Sequence, residues 1–334
     1  MMRKNLLSRT AVKIVAIAAL AAAGLSPALA QNDFPQPGKS IRLIIPFAPG
    51  GVTDTSGRVI AEYLSKRLGT PVVAENRPGA SGNIGTNAVM QAAPDGYTLL
   101  LALDGSLVIN PHVMTGMADF HPTRNLTPVG MVGKSTVLLV AHPSLQADTL
   151  REVIELSRQT PGGLSYGTSG AGSIVHIMGE LLVQKTNARL IHVPYKGGAP
   201  AVNDVTAGHI PLAFVSAASV QGYLDQKKLK PIAVPTGQRS PFFPNVQTFA
   251  ENDVADFDVG SWVGLMAPQD TPRPVVDKLN RELNAVLQDP EVVTRLNGMG
   301  IEPVPGSPQD FGQLIESNFD LFEGVVKSSG ISLN

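Results

Sequence analysis

From residue 41 onward, short apolar runs alternate with amphipathic stretches. Ile41 to Ile45 is an apolar run fit for a buried strand, and it stops at Pro49-Gly50-Gly51. Ile60, Leu64 and Leu68 then recur at helical spacing, with Gly69 where a helix C-terminus is expected. Thr53 or Asp54 can cap that helix. Pro71 to Asn76 reads as a second strand and enters the glycine-rich turn Arg77 to Gly85. A helix follows through Ala88, Val89 and Ala92, and Tyr97 to Leu103 is a third strand ending at Asp104-Gly105-Ser106. This strand and helix alternation predicts a parallel sheet with helices on both faces. Ligands of such sheets sit beyond the carboxyl ends of the strands, where these three loops fall.

Residues 110 to 128 show no sustained periodicity and read as irregular. The apolar stretch Val129 to His142 reads as a crossover into a second unit of the same plan, with Val137 to Ala141 in a new sheet. There Leu164 to Tyr166 leads through Gly167-Thr168-Ser169-Gly170-Ala171-Gly172-Ser173 into a helix marked by Ile174, Ile177, Met178, Leu181 and Leu182. Strands at 190–193, 210–216 and 231–235 and a helix at 201–207 complete it. Val259 to Ala267 is a second crossover, back to the first unit, with Trp262 as a core residue. Helices begin at Pro272-Arg273-Pro274 and near Asp310. Two crossovers between two α/β lobes describe a hinged clamshell whose glycine loops face each other across a cleft. The expected lobes are 31–132 with 259–334, and 133–258.

Composition adds a targeting segment. Arg3, Lys4, Arg9 and Lys13 precede the apolar run Ile14 to Leu25 and the cleavage-type triplet Ala28-Leu29-Ala30. Residues 1–30 therefore read as a cleavable signal peptide, and the expected location is the periplasm. The chain contains no cysteine, which excludes disulfides, thiolate nucleophiles and cysteine-held metals. With 26 basic and 27 acidic residues and no basic stripe, nucleic acid is not an expected partner.

Strand–glycine turn–helix junctions aim backbone N–H groups at one point, at the positive end of a helix dipole, and so suit an anion. In the loop 167–173, small residues let the backbone approach a ligand, while Thr168, Ser169 and Ser173 supply hydroxyl donors. Carboxylate and phosphate would be held by the same physics. Asp104 would repel a carboxylate and attract an amine, or it simply forms a turn before Gly105. An enzyme reading also exists. Gly167 to Ala171 falls one glycine short of a nucleophile elbow, with Ser169 as nucleophile, His176 or His192 as base, and Asp204 or Asp225 to orient it. Against it, His176 lies on the helix that begins at this same loop. No histidine pair has metal-ligand spacing, so neither a metal nor a cofactor is expected.

Several stretches resemble the Bug-type (Bordetella uptake gene) receptors of tripartite tricarboxylate transporters. They are Ile45-Pro46-Phe47-Ala48-Pro49-Gly50-Gly51 with Asp54, Glu75-Asn76-Arg77-Pro78-Gly79-Ala80 with Gly82-Asn83-Ile84-Gly85, and Pro94-Asp95-Gly96-Tyr97. Tyr166 to Ser173 with His176, and His192-Val193-Pro194-Tyr195-Lys196-Gly197 with Pro200 and Asp204, complete the set. The resemblance spans the mature chain. It implies an α/β type II periplasmic-binding-protein fold and a monomeric receptor for a small organic carboxylate, with transporter membrane subunits as partners. The solute classes it allows are di- and tricarboxylates, aromatic acids and acidic amino acids.

Carried over by motif, the first-lobe donors are Phe47, Ala48, Gly50, Gly51, Thr53 and Asn83. Those of the second lobe are Thr168, Ser169, Gly172 and Ser173, and Asp104, Ser106, His176 and Gly197 complete the candidate set. Asp54 is expected to hold its loop rather than touch an anion. The chain departs from the family at Ile210-Pro211 and at Phe214-Val215-Ser216, where acidic residues are usual, and at Asp104, where a small or hydroxyl residue is frequent.

Overall fold

Strand β1 (Ile41–Ile45) is buried on both faces, which is why it reads as a continuous apolar run rather than an alternating one. Helix α1 (Val52–Leu68) packs over it closely because Gly57 has no side chain. A Cβ there would lie 2.8 Å from both Ile45 Cδ1 and Leu101 Cδ2. The computed structural model describes residues 34–50, 52–117, 119–255, 257 and 259–332. Residues 1–30, expected from the sequence to be a signal peptide, and the candidate Gly51 lie outside them. Residues 38–334 form one unit.

After α1 come β2 (Val72–Asn76), α2 (Asn83–Met90) and β3 (Thr98–Leu103). A π-helical turn, Gly105–Ile109, runs into short helices at Asn110–Val113 and Pro122–Asn125. Strands β4 (Leu126–Ser135) and β5 (Val137–Ala141) follow, then α3 (Leu150–Gln159), β6 (Leu164–Thr168), α4 (Ile174–Thr186), β7 (Leu190–Pro194), α5 (Gly198–Thr206) and β8 (Leu212–Ser216). A one-turn helix at Gln221–Asp225 precedes β9 (Lys230–Ala233) and β10 (Ser261–Pro268). The chain ends with α6 (Arg273–Leu287), α7 (Pro290–Asn297), β11 (Ile301–Pro303) and α8 (Pro308–Ser329). The stretch without periodicity thus holds two helical turns, each opened by a proline at its start, and the beginning of β4. Helix α7, another proline-led segment, has no counterpart in the sequence pattern.

The first sheet has the order β11-β4-β10-β3-β1-β2 and the second β7-β6-β8-β5-β9. The expectation of a parallel first sheet holds only for β1, β2 and β3. Strands β4, β10 and β11 pair antiparallel and make the sheet mixed. The cause is the crossovers themselves: β4 leaves for the second sheet while β10 returns, so they run in opposite directions side by side. Their pairing persists to Ser261 opposite Ser135, and the chain changes sheets at Thr136.

One apolar cluster reaches from Ile44 and Leu100 through Val108, Trp262 and Phe311 to Leu139, Tyr166 and Phe214 of the second sheet. A second lies on the other face of that sheet, around Leu138, Val140, Val202 and Val215. Helix α8 links the two sheets: Phe311 packs edge-on to Trp262, with centroids 5.2 Å apart, and Gln184 of α4 donates to Ser329 Oγ at 2.9 Å.

Candidate functional site

The carboxyl ends of β1, β3 and β6 converge on a cavity of about 440 Å³. One wall carries Phe47, Ser81, the turn Leu103 to Ser106, Asn110 and Ser261. The other is the loop Ser169 to Ser173 with Ile174. Among the described residues that line it, Asp104 is the single ionisable side chain and no lysine or arginine appears. Whatever holds an anion here must do so with hydroxyls, amides and backbone dipoles.

The loop after β1 is fixed from behind. Asp54 Oδ2 accepts from Gly50 N at 3.0 Å, and Asn76 Nδ2 donates to both Asp54 Oδ1 (2.8 Å) and Phe47 O (3.0 Å). Arg58 pairs with Asp54 at 2.9 Å. The Arg58 hydrogen bond, followed by those of Gly50 and Asn76, outweighs burial and holds the Asp54 carboxyl down at about 2. Asp54 thus anchors the loop, and Gly50 spends its N–H internally. Ala48 and Gly50 are exposed, and Thr53 does not line the cavity. Asp54→Ala should lower stability by about 2 kcal/mol at neutral pH, less than a fully buried pair because Arg58 is half exposed. A carboxyl depressed on folding stabilises above its ordinary value of 3.8, and this contribution disappears as pH falls toward 2. Urea unfolding of both proteins at pH 6 and pH 2.5 should therefore show their difference shrinking in acid.

The second first-lobe loop is built on left-handed backbone. Gly79, Ala80, Ser81 and Gly82 have φ of 130°, 46°, 53° and 98°. Two consecutive non-glycine residues in that region are unusual, and such conformations gather at binding sites. The turn carries Ser81 to the cavity, and Gly82 passes so close that a Cβ on it would lie 3.2 Å from both Phe47 and Ser106. Asn83 points elsewhere: its Nδ2 faces Met114 and Met117 sulfurs, and its Oδ1 accepts from Asn110 Nδ2 at 2.9 Å. Asn110 in turn donates to Ser81 O at 3.0 Å, so Asn83 supports the wall through Asn110.

Asp104 sits on the cavity floor, 3% exposed. Its Oδ1 accepts from Gly105 N at 2.5 Å, its Oδ2 from Trp262 N at 3.0 Å, and the Ser261 hydroxyl also donates to it. Burial pushes its carboxyl up to about 6 despite these donors. Ser106, beside it, donates its hydroxyl to Leu103 O at 2.9 Å.

In the opposite loop, Ser173 caps α4: its hydroxyl donates to Gly170 O at 2.6 Å and accepts from His176 N at 3.4 Å. Gly172 N donates to His176 Nδ1 at 3.1 Å, and Gly197 N donates to Ser169 O at 3.1 Å. Thr168 is fully buried, with its hydroxyl 2.6 Å from His192 Nε2. The rings of His176 and His192 stack at 3.6 Å, and Tyr166 donates to Glu180 at 2.9 Å beneath them. Burial and then the neighbouring His176 push His192 down to about 4, so it is neutral at pH 7.

Of the candidates, Phe47, Asp104, Ser106, Ser169, Gly172 and Ser173 come together at the cavity. Ala48, Gly50, Thr53, Asn83, Thr168, His176 and Gly197 lie outside its lining, and Gly50, Asn83, Thr168, His176 and Gly197 brace the loops that form it. Ser81, Asn110, Ile174 and Ser261 are lining residues that the sequence reading misses. Ser261 has a readable signal, since it opens the returning crossover.

The hydrolase geometry is not assembled among the described residues. His176 Nδ1 is taken by Gly172 and its Nε2 faces Glu180 at 3.6 Å; His192 Nε2 is taken by Thr168. Asp204 binds Tyr195 at 2.6 Å and His209 at 3.3 Å, and Asp225 accepts from Gln221 at 2.9 Å.

Two sheets joined by paired crossovers, with a cavity between helix-start loops, define the class: a two-lobed solute-binding receptor. The chain belongs to the family described as tripartite tricarboxylate transporter family receptor, whose profile matches residues 57–331. It is 34% identical to protein BugT of Bordetella pertussis over 315 residues, 94% of this chain and 96% of that one. An R. palustris protein solved with adipate superposes with a TM-score of 0.74 at 34% identity, covering 89% of this chain and 99% of its own. MatC of Rhodopseudomonas palustris with bound malate gives 0.71 at 30% identity, covering 87% and 100%.

Proposed function

We propose that this receptor captures a small dicarboxylate between its lobes and delivers it unchanged to the membrane subunits of a tripartite tricarboxylate transporter. Tricarboxylates, aromatic acids and acidic amino acids are the competing solutes. The carrying observation is the cavity itself: short hydroxyl side chains and loop amides from both sheets, set at the start of the 13-residue helix α4, with no basic side chain among the described lining residues. Such a site suits carboxylates because several neutral donors can be shared among their oxygens, with the α4 dipole adding to their field. The adipate and malate carried by two similar structures support the same class. One carboxylate would be held by Ser81 and the turn after β3, on a wall that Asn110 braces with its side-chain amide, the other by the loop Ser169 to Ser173. The lobes are 31–132 with 259–334, and 133–258, hinged at Thr136 and just before Ser261. The working form is a monomer in the periplasm, after loss of residues 1–30.

A thermal-shift screen of residues 31–334 tests this with mono-, di- and tricarboxylates, aromatic acids and acidic amino acids. A ligand at about 100 times its Kd adds about 2.7 kcal/mol and visibly raises Tm. The expected result is a selective shift with dicarboxylates, recovered chemically intact. Absence of a shift with every carboxylate would sink the proposal.

A further inference from the structure

An anion site whose one charged side chain is itself an anion poses an electrostatic problem. Among the described residues Asp104 has no cation beside it: it meets only the amides of Gly105 and Trp262 and the Ser261 hydroxyl, and the loop across the cavity offers Ser169 and Ser173. Those three donors leave about one of the four acceptor positions of a carboxylate open. A ligand carboxylate arriving in this buried space would face a second negative charge with little water between them, and two carboxylates sharing a site do not both stay ionised.

We propose that capture is proton-coupled: binding a carboxylate solute places a proton on Asp104, which then donates a hydrogen bond to the ligand instead of repelling it. This inference rests on the carboxylate reading above. The balance is simple. One proton passes from solvent to an Asp104 oxygen, no other bond is made or broken, and release of the solute returns the proton. Asp104 thereby becomes a specificity-determining residue that favours solutes able to accept a hydrogen bond from its protonated carboxyl. The burial that already pushes its carboxyl well above the ordinary range makes protonation accessible near neutral pH.

The direction separates this effect from the other titratable groups near the site. His176, His192 and Glu180 lie behind the second loop. Losing the His176 Nδ1 acceptor of the Gly172 N–H would loosen that loop and weaken binding. Protonating Asp104 strengthens binding in acid. Ligand carboxylates titrate below about 6 and are ionised at pH 7 and 8, where the proton count is read.

The test is isothermal calorimetry with adipate, malate and aspartate at pH 6, 7 and 8, each in two buffers of different ionisation enthalpy. The expected result for adipate or malate is uptake approaching one proton per ligand at pH 7, and a Kd that rises by about fiftyfold from pH 6 to pH 8. In Asp104→Asn the uptake falls to near zero and the pH profile flattens; Tm, recorded alongside, shows whether the variant is folded. The wild-type proton count decides the matter even if it is not. Adipate or malate binding without proton exchange overturns the proposal and leaves the carboxylate reading standing. Aspartate alone binding, equally well at pH 6 and 8, also overturns it and makes Asp104 the partner of a ligand ammonium. No binding by any of the three overturns both.

Discussion

Gly105→Leu should abolish solute capture while leaving the fold as stable as before, or slightly more so. Gly105 lines the cavity, and a Cβ placed on it meets nothing within 4 Å. Its φ lies outside the left-handed region and it opens a helical turn, so a leucine meets no backbone conflict. Its N–H still donates to Asp104. Replacing glycine by leucine within a helical turn gains roughly 0.5–1 kcal/mol of propensity. The added side chain occupies the space a solute would need. We expect Kd to rise more than about a hundredfold, equivalent to about 2.7 kcal/mol, with Tm unchanged or raised. Calorimetry and a melting curve on one preparation check both halves. Retained affinity would show that the solute sits elsewhere.

Gly264→Ala should do the reverse, damaging the fold at a residue that does not line the cavity. The new Cβ would lie 2.2 Å from Phe311 Cζ and 2.6 Å from its Cε1. Phe311 is 2% exposed and wedged edge-on against Trp262, so its ring cannot swing away cheaply. Relief requires α8 to lift from the first sheet, which also strains the Trp262 Nε1 to Asn318 hydrogen bond of 3.0 Å. The expected cost is about 3 kcal/mol, at the upper end for overpacking. Phe311→Ala alone should cost about 3–5 kcal/mol through the cavity it leaves. Combined, the two changes should cost less than their sum, because each accommodates part of the other's misfit. Urea unfolding of the four proteins in the cycle measures this, and strict additivity would mean that the contact does not govern the packing of α8.

The framework is legible in the sequence because its strands are short and buried while its helices carry a clear apolar stripe. Ile41 to Ile45, the stripe of Ile60 and Leu64, and the crossover runs at 129–142 and 259–267 all lie where the pattern places them. Strand direction is less visible. That β4 and β10 pair antiparallel is a property of two strands meeting in space, and neither run encodes it locally.

The site divides in the same way. Glycine-rich spacing locates the loops, yet whether an amide faces the cavity or the protein depends on individual dihedrals. Nothing in Gly79 to Gly82 announces that Ala80 and Ser81 take positive φ, which carries Ser81 to the cavity. Asn83 has the chemistry of a ligand donor but serves Asn110, a residue hidden in the stretch without periodicity. Ser261 reaches the floor only through the register that sets Val263 opposite Leu103.

Trp262 is the single tryptophan of the chain and is 1% exposed. Its own backbone amide is the group that holds Asp104, at the floor of the cavity and at the strand returning between the lobes. The molecule therefore carries a built-in optical probe. Selective excitation of one indole, shielded from solvent and carried by the residue whose amide holds Asp104, allows solute titrations to be followed by emission alone. No dye, label or introduced cysteine is required.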